Sequence, residues 1–181
     1  MWCGGCGIGD RIGGGICRRK KIEGEGKKGG MKNEKKRSDD AMKARFRYIE
    51  HTSDVGFEAY GDTLEELFAN AALATFSFMT NVDEIDEEEE REVHLNAEDL
   101  YSLMFDWIDE MLFFFESESI VFKKFHLKID EENFSLYGRC IGGKFHPEKH
   151  SSGIIIKAVT YNMMEIKREN GVWRARVVLD V

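Results

Sequence analysis

The last ten residues hold the first group of side chains that could do chemistry. Trp173, Ala175, Val177, Leu179 and Val181 alternate with more polar positions, which is the period-two pattern of a half-buried strand. We therefore expect a strand to hold both the Asp180 side chain and the α-carboxylate of Val181. Two carboxylates fixed this close repel each other unless a positive charge lies between them. A divalent cation is one candidate for that charge.

Asp54 is the second candidate. It lies where two short strands are interrupted, after His51-Thr52-Ser53 and before Gly56. Taken alone, it is more typical of a turn aspartate that accepts local backbone N–H bonds. Asp180 taken alone is likewise typical of an outward strand residue, and it could pair with Arg174 or Arg176.

Other combinations of reactive side chains are weaker. His146 and His150 have a spacing that binds metal on a helix, but Pro147 between them favours a loop. Cys3, Cys6 and Cys17 lie in a glycine-rich segment that gives neither a redox motif nor four zinc ligands. Cys140 is predicted to be a small core residue. No Ser/His/Asp set, Cys/His pair or phosphate-binding loop emerges, so the sequence predicts no enzyme.

The elements that must position these residues follow from hydrophobic spacing. Strands are predicted at 45–50, 55–60, 91–96, 120–129, 134–142, 154–167 and 172–181, the last two joined by a hairpin turn at Asn170-Gly171. One helix should begin at Thr63, which can form a capping box with Glu66. A second, from Leu100 to Phe115, carries an apolar stripe wide enough for burial on more than one side. The order predicts a single α+β domain of two helices packed on a largely antiparallel sheet.

Charge divides the chain into two unequal parts. Residues 1–47 hold 14 Lys and Arg against 6 Asp and Glu, a net charge of +8, and residues 48–181 hold 12 against 28, a net charge of −16. Residues 1–42 are rich in glycine and basic side chains, so we predict a disordered N-terminal extension followed by a folded domain over 43–181. The acidic domain should favour positively charged partners. Any RNA contact should be indirect or made through the basic extension.

The absence of long apolar runs fixes the expected compartment. No stretch of about 18 apolar residues occurs, which excludes a membrane-spanning helix, and no secretory signal is present. We expect a cytoplasmic protein.

Several segments together resemble the archease family. They are Tyr48–Phe57 (YIEHTSDVGF), Thr63–Ala72 (TLEELFANAA), Phe145–His150 (FHPEKH), Lys157–Tyr161 (KAVTY) and the closing Leu179-Asp180-Val181. The resemblance runs in order across residues 45–181. His146 and Asn162 depart from the family pattern, which leaves Asp54 and Asp180 unaffected.

The resemblance implies a non-catalytic protein cofactor. Archease-like proteins activate the GTP-dependent RNA-splicing ligase, which joins 3′-phosphate and 5′-hydroxyl ends in tRNA splicing. They promote guanylylation of the ligase and let it turn over repeatedly. The resemblance also implies a divalent-cation site, with Ca²⁺ as the first candidate ion and Mg²⁺ or Mn²⁺ as alternatives. Its ligands would be Asp54, Asp180 and Val181.

Another class of function fits the same residues. The chain could be a chaperone-like or specificity-modulating binder of a tRNA-modifying enzyme, such as a tRNA methyltransferase. That alternative predicts a complex with the modifying enzyme and no effect on ligation.

Overall fold

The computed structural model describes residues 45–50 and 54–181. The predicted extension, residues 1–42, lies outside the described residues, as do Cys3, Cys6, Cys17 and His51. Within the described part, the elements follow the predicted order of strands and helices. They are β1 (Phe46–Glu50), β2 (Val55–Gly61), α1 (Leu64–Met79), β3 (Glu89–Asn96), α2 (Leu100–Glu118), β4 (Ile120–Asp130), β5 (Ser135–Lys144), β6 (Ala158–Glu169) and β7 (Val172–Asp180).

The strands form two sheets rather than one. A four-stranded sheet has the order β1-β2-β7-β6, and a three-stranded sheet has the order β3-β5-β4. Every pairing is antiparallel. Helix α1 packs against β2 and β4, and α2 against β6 and β4, so both helices contact both sheets. The predicted α+β class with two helices on antiparallel strands is confirmed, and the helices provide a shared core for the two sheets.

Helix α1 begins where the capping pattern predicts. The Thr63 hydroxyl accepts a bond from the Glu66 backbone N–H at 3.2 Å, and the Glu66 carboxylate accepts one from the Asp62 N–H at 2.9 Å. The first contact satisfies a backbone donor of the first helical turn, and the second satisfies the donor just before the cap. The helix is therefore fixed directly after β2, the strand that follows Asp54.

Helix α2 packs into the core through a stripe of aromatic and aliphatic side chains. Asp99 caps its first turn by accepting from the Ser102 N–H at 2.7 Å. Trp107 is fully buried, and its indole Nε1–H donates to the Phe68 carbonyl of α1 at 2.9 Å. A buried indole needs such an acceptor, so this bond fixes how the two helices pack. Cys140 is also fully buried in the core, as predicted, and burial raises the pKa of its thiol to about 12.

The β6–β7 hairpin turns as predicted, but β6 begins later than expected. Asn170 and Gly171 both have positive φ, 52° and 88°, as the tight hairpin turn requires. Residues 154–157, predicted as strand, lie outside β6. Gly153 and Ile154 donate backbone bonds to the carbonyls of Met79 and Phe78, which tethers the start of this segment to the end of α1.

A bulge interrupts β6. The register passes from Thr160 opposite Val178 to Glu165 opposite Arg176, so β6 carries three more residues than β7 over this interval. Met163 has a φ of 55° within it, and Tyr161 and Met163 are each about half exposed. The Tyr161 ring stacks on Phe105 of α2, with a centroid distance of 4.3 Å. The extra residues therefore leave the sheet and contact α2.

Candidate functional site

The register of β2 and β7 places Asp54 beside Asp180. Val55 pairs with Leu179, and continuing the antiparallel register by one residue sets Asp54 opposite Asp180. Both then lie on the face of the four-stranded sheet that points away from the helices, because Phe57 and Leu179 on the alternate positions are fully buried in the core. We call this face the outer face. Asp54 lies in a bend one residue before β2, so the ladder brings both aspartates to the same end of the sheet.

Lys157 approaches the same end of the sheet. Its backbone N–H donates to the Asp180 carbonyl at 2.9 Å, and its ammonium group donates to a Val181 oxygen at 2.9 Å. The Lys157 ammonium group supplies part of the positive charge that the neighbouring carboxylates of Asp180 and Val181 require. We call Asp54, Asp180 and Val181 the acidic tip.

The acidic tip has the ligand chemistry of a hard-cation site. Its groups are carboxylate and main-chain oxygens, which are the donors that Ca²⁺ and Mg²⁺ take in proteins. Within residues 45–50 and 54–181, no three His, Cys, Asp or Glu side chains cluster in a way that could hold a metal ion. A site at the tip would therefore depend on the Val181 oxygens and on water beyond the two aspartates.

Arg174 and Arg176 bind other residues than Asp180. The guanidinium groups of both donate to Glu58 Oε1, at 2.8 and 2.7 Å, and Arg174 also donates to Glu165 at 2.7 Å. The anticipated pairing of Asp180 with these arginines is therefore wrong. The reason is register, because Arg176 lies directly opposite Glu58 on β2, four residues away from Asp180 along β7.

Glu58 is the charged residue that sequence reasoning missed. Its side chain is fully buried on the outer face beneath Arg47, Arg174 and Arg176, and the Tyr60 hydroxyl donates to it at 2.9 Å. Burial by itself raises the pKa of Glu58, but hydrogen bonds from Arg176, Tyr60 and Arg47 outweigh it and hold the pKa at about 2. Strand alternation already indicated that Glu58 faces away from Phe57. The pattern does not say which strands are neighbours, so the three arginines around Glu58 could not be predicted from it.

The two histidines of the 146–150 segment belong to a turn. The His146 backbone N–H donates to His150 Nδ1 at 3.1 Å, and the backbone N–H groups of Lys149 and His150 donate to the His146 carbonyl. His150 Nδ1 therefore accepts a backbone bond and is engaged in fixing the turn. The predicted loop at Pro147 is confirmed.

A second group of acidic residues lies on α2. Asp106, Asp109 and Glu110, which we call the α2 acidic stripe, are partly or fully exposed. Burial, and then the charge of Asp109, raise the pKa of Asp106 and of Glu110. These carboxylates repel one another and bind no arginine or lysine in any described contact. This side of α2 is therefore a concentrated negative surface.

The fold and its acidic tip can be compared with known proteins. The model of a family described as Archease protein family (MTH1598/TM1083) matches residues 46–181. The archease of Methanosarcina mazei is 43% identical over 140 residues, which are 76% of this chain and 96% of that protein. The archease of Methanothermobacter thermautotrophicus is 46% identical over 138 residues, 75% of this chain and 98% of that protein.

Solved structures agree with these matches. The solution structure of Methanobacterium thermoautotrophicum protein 1598 is 45% identical, with a TM-score of 0.67, and the match covers 76% of this chain and 99% of that one. A Thermotoga maritima crystal structure, described as an archease and possible chaperone, is 24% identical with a TM-score of 0.53 over 75% of this chain and 96% of that one, and it shows the shared fold.

These matches place the molecule in a class of small α+β proteins that carry two helices against antiparallel sheets. The chain belongs to the archease protein family. The family resemblance seen in the sequence motifs is thereby confirmed. In the described part of the chain, no helix combines the length and the apolar character needed to cross a bilayer.

Proposed function

We propose that this chain is a non-catalytic protein cofactor of the GTP-dependent RNA-splicing ligase that joins 3′-phosphate and 5′-hydroxyl ends in tRNA splicing. It would promote guanylylation of the ligase and multiple turnover. The single observation that carries the proposal is the register of Val55 with Leu179, which brings Asp54 beside Asp180. Membership of the archease family supports it.

The acidic tip would hold a divalent cation, Ca²⁺ first and Mg²⁺ or Mn²⁺ as alternatives. A bound cation would offer a Lewis-acidic centre that neutralises phosphate charge, which is the chief electrostatic requirement of phosphoryl and nucleotidyl transfer. The residues of this chain would do the positioning. Strands β2 and β7 fix the two aspartates, and the backbone bond from Lys157 to Asp180 fixes the end of β7.

The test is ligation of excess RNA by catalytic amounts of ligase, with and without the full chain. We expect wild type to allow many turnovers, and Asp54→Asn or Asp180→Asn to reduce them at least about ten-fold, the lower end of the usual loss when a metal site is disturbed. Asp62→Asn is the matched control, because Asp62 is an exposed aspartate in the turn before α1. It should retain full activity.

Two further variants separate the parts of the proposal. A short Gly-Ser extension after Val181 converts its α-carboxylate into an amide and should weaken both Ca²⁺ binding, measured by calorimetry, and ligase turnover. Deleting residues 1–42 should change turnover much less. If Asp54→Asn supports as many turnovers as wild type, the metal-based activation is wrong.

The competing function makes a different prediction in the same experiments. A chaperone-like binder of a tRNA-modifying enzyme would leave ligation unchanged and would instead form a complex with that enzyme, for example a tRNA methyltransferase. Observing that complex, together with unaltered ligase turnover, would replace the proposal by this alternative.

A further inference from the structure

The outer face carries a second cluster of charge, separate from the acidic tip. Arg47, Glu58, Arg176 and Glu165 are successive register partners in one row across β1, β2, β7 and β6. Arg174 lies two residues from Arg176 on β7, on the same face. We call Arg47, Arg174 and Arg176 the arginine cluster.

The arginine cluster exposes positive charge to solvent, and the Glu58 carboxylate lies buried beneath it. The Glu58 side chain is fully buried, whereas the Arg47 side chain is 56% exposed and that of Arg176 is 31% exposed. The buried carboxylate fixes the positions of all three guanidinium groups. A ligand arriving from solvent would therefore meet preorganised donors before it met Glu58.

The arginine cluster is short of negative charge. Its three guanidinium groups bind two carboxylates, Glu58 and Glu165, among the described residues. Arg174 Nε is buried and has no hydrogen-bond acceptor in the part of the chain that the structure describes. Buried donors without acceptors are rare in proteins, and one explanation for them is a bound water or ion. Counted over these described contacts, the guanidinium charge of the cluster exceeds the carboxylate charge that it binds by one.

We propose that the arginine cluster binds a phosphate group, supplied by a free nucleotide or by the backbone of RNA. Guanidinium groups match phosphate oxygens geometrically and bind them through paired, charge-assisted hydrogen bonds. The net charge of −16 over residues 48–181 opposes polyanions at long range. Within about one Debye length, roughly 8–10 Å, the local excess of guanidinium charge governs instead.

The position of the cluster favours phosphate over carboxylate ligands. Arg176 and Asp180 lie four residues apart on β7, about 13 Å at the usual rise of a strand. If the acidic tip holds a divalent cation, which rests on the proposed function, this one face carries two phosphate-attracting centres. A nucleic acid, with a phosphate on every nucleotide, can reach both centres at once.

The arginine Nε–H signals of the full ¹⁵N-labelled chain report directly on this site. We would titrate the protein with inorganic phosphate, with GMP and with a single-stranded RNA of ten nucleotides, in EDTA and without the ligase. Saturable shifts of the Arg47, Arg174 and Arg176 signals are expected, whereas Arg139, an exposed arginine on the three-stranded sheet, should stay unshifted. Acetate at equal ionic strength should leave the cluster unshifted as well.

The three ligands distinguish the source of the phosphate. Binding of GMP as tight as that of RNA would assign the site to a free nucleotide. Tighter binding of RNA, with shifts in the same three arginines, would assign it to the RNA backbone. Shifts confined to residues 1–42 would overturn the proposal, and so would equal shifts with acetate or none at all.

Substitution of one arginine gives an independent measurement. Arg47→Gln should weaken phosphate binding about ten-fold or more, the value of one charge-assisted bond. Arg47 is the best choice because Glu58 keeps Arg174 and Arg176 as partners and the fold is retained. Arg139→Gln is the control and should bind as wild type does. Unchanged affinity in Arg47→Gln would contradict the proposal, while the ligase test above would be unaffected by this result.

Discussion

Glu58 and the α2 acidic stripe show opposite responses of carboxylates to their surroundings. Glu58 is fully buried, yet its pKa is held at about 2. Asp106 and Glu110 retain contact with solvent, yet their pKa values are raised. Burial alone would predict the reverse order, because removal from water disfavours the charged form. Burial, and then the charge of Asp109, raise the pKa values in the stripe, whereas the hydrogen bonds from Arg176, Tyr60 and Arg47 outweigh burial at Glu58.

This comparison separates two roles of acidic residues in one domain. Glu58 ties β1, β2 and β7 together, so its charge stabilises the fold. The α2 acidic stripe repels itself, so its charge lowers the stability of the folded state. A self-repelling surface is more useful for recognition of a basic partner than for folding. We therefore expect substitutions in the two regions to change stability with opposite signs.

Substitution of Glu58 should have the largest effect. Glu58→Gln keeps the side-chain shape but leaves three guanidinium groups around a neutral amide, and breaking a buried ion pair in this way usually costs about 3–5 kcal/mol. Urea denaturation at pH 7 would measure the loss. Glu92→Gln is the control, because Glu92 is exposed on β3 and should change stability by less than about 0.5 kcal/mol. A loss at Glu58 no larger than that at Glu92 would show that the network contributes nothing.

The pH dependence of unfolding should show the same contribution in the wild type. The folded pKa of Glu58, about 2, lies below the unfolded value of about 4.3, so the folded state binds fewer protons between these values. Its stabilisation is present above about pH 4.5 and is lost as the pH falls towards 2. The loss should be on the order of 3 kcal/mol. Glu58→Gln should have a correspondingly shallower acid limb, and parallel curves for the two proteins would contradict this account.

Neutralising the α2 acidic stripe should have the smallest effect, with the opposite sign. Asp109→Asn removes the charge that, after burial, raises the pKa of Asp106 and Glu110, and should stabilise the protein by a few tenths of a kcal/mol at pH 7 and low salt. The gain should shrink as the pH falls and Asp106 and Glu110 protonate, and also in 0.5 M salt, roughly, where charges are screened. Glu98→Gln removes one charge outside the stripe. An equal gain in that control would assign the effect to net charge rather than to the stripe.

The sequence was sufficient for features that depend on short-range pattern. The Thr63 and Glu66 capping box, the Asn170-Gly171 turn and the buried stripe of α2 all follow from residues a few positions apart, and the structure contains each of them. Residues 154–157 were predicted wrongly because three consecutive isoleucines favour a strand. Ile155 is in fact 75% exposed, and contacts with the end of α1 determine the backbone there.

Features that depend on strand neighbours could not be predicted from the pattern. The alternation of β7 puts Arg174, Arg176 and Asp180 on one face, but it does not say which strand lies beside them. Once β2 is the neighbour, Glu58 falls opposite Arg176 and Asp54 falls opposite Asp180. The pairing of β2 with β7 brings together residues 112 to 124 positions apart in sequence. The buried glutamate was missed for this reason, whereas the combination of Asp54 with Asp180 and Val181 was expected only through family motifs.

The bulge in β6 also makes this edge of the four-stranded sheet a poor template for strand addition. Strand β6 lies at one edge of the four-stranded sheet, where unpaired backbone groups can recruit a strand from another molecule and start aggregation. The extra residues around Met163 break the regular row of donors and acceptors, so an incoming strand would find no continuous edge to extend. The opposite edge, β1, is only five residues long. Both edges of the four-stranded sheet are thus poor templates for β-aggregation.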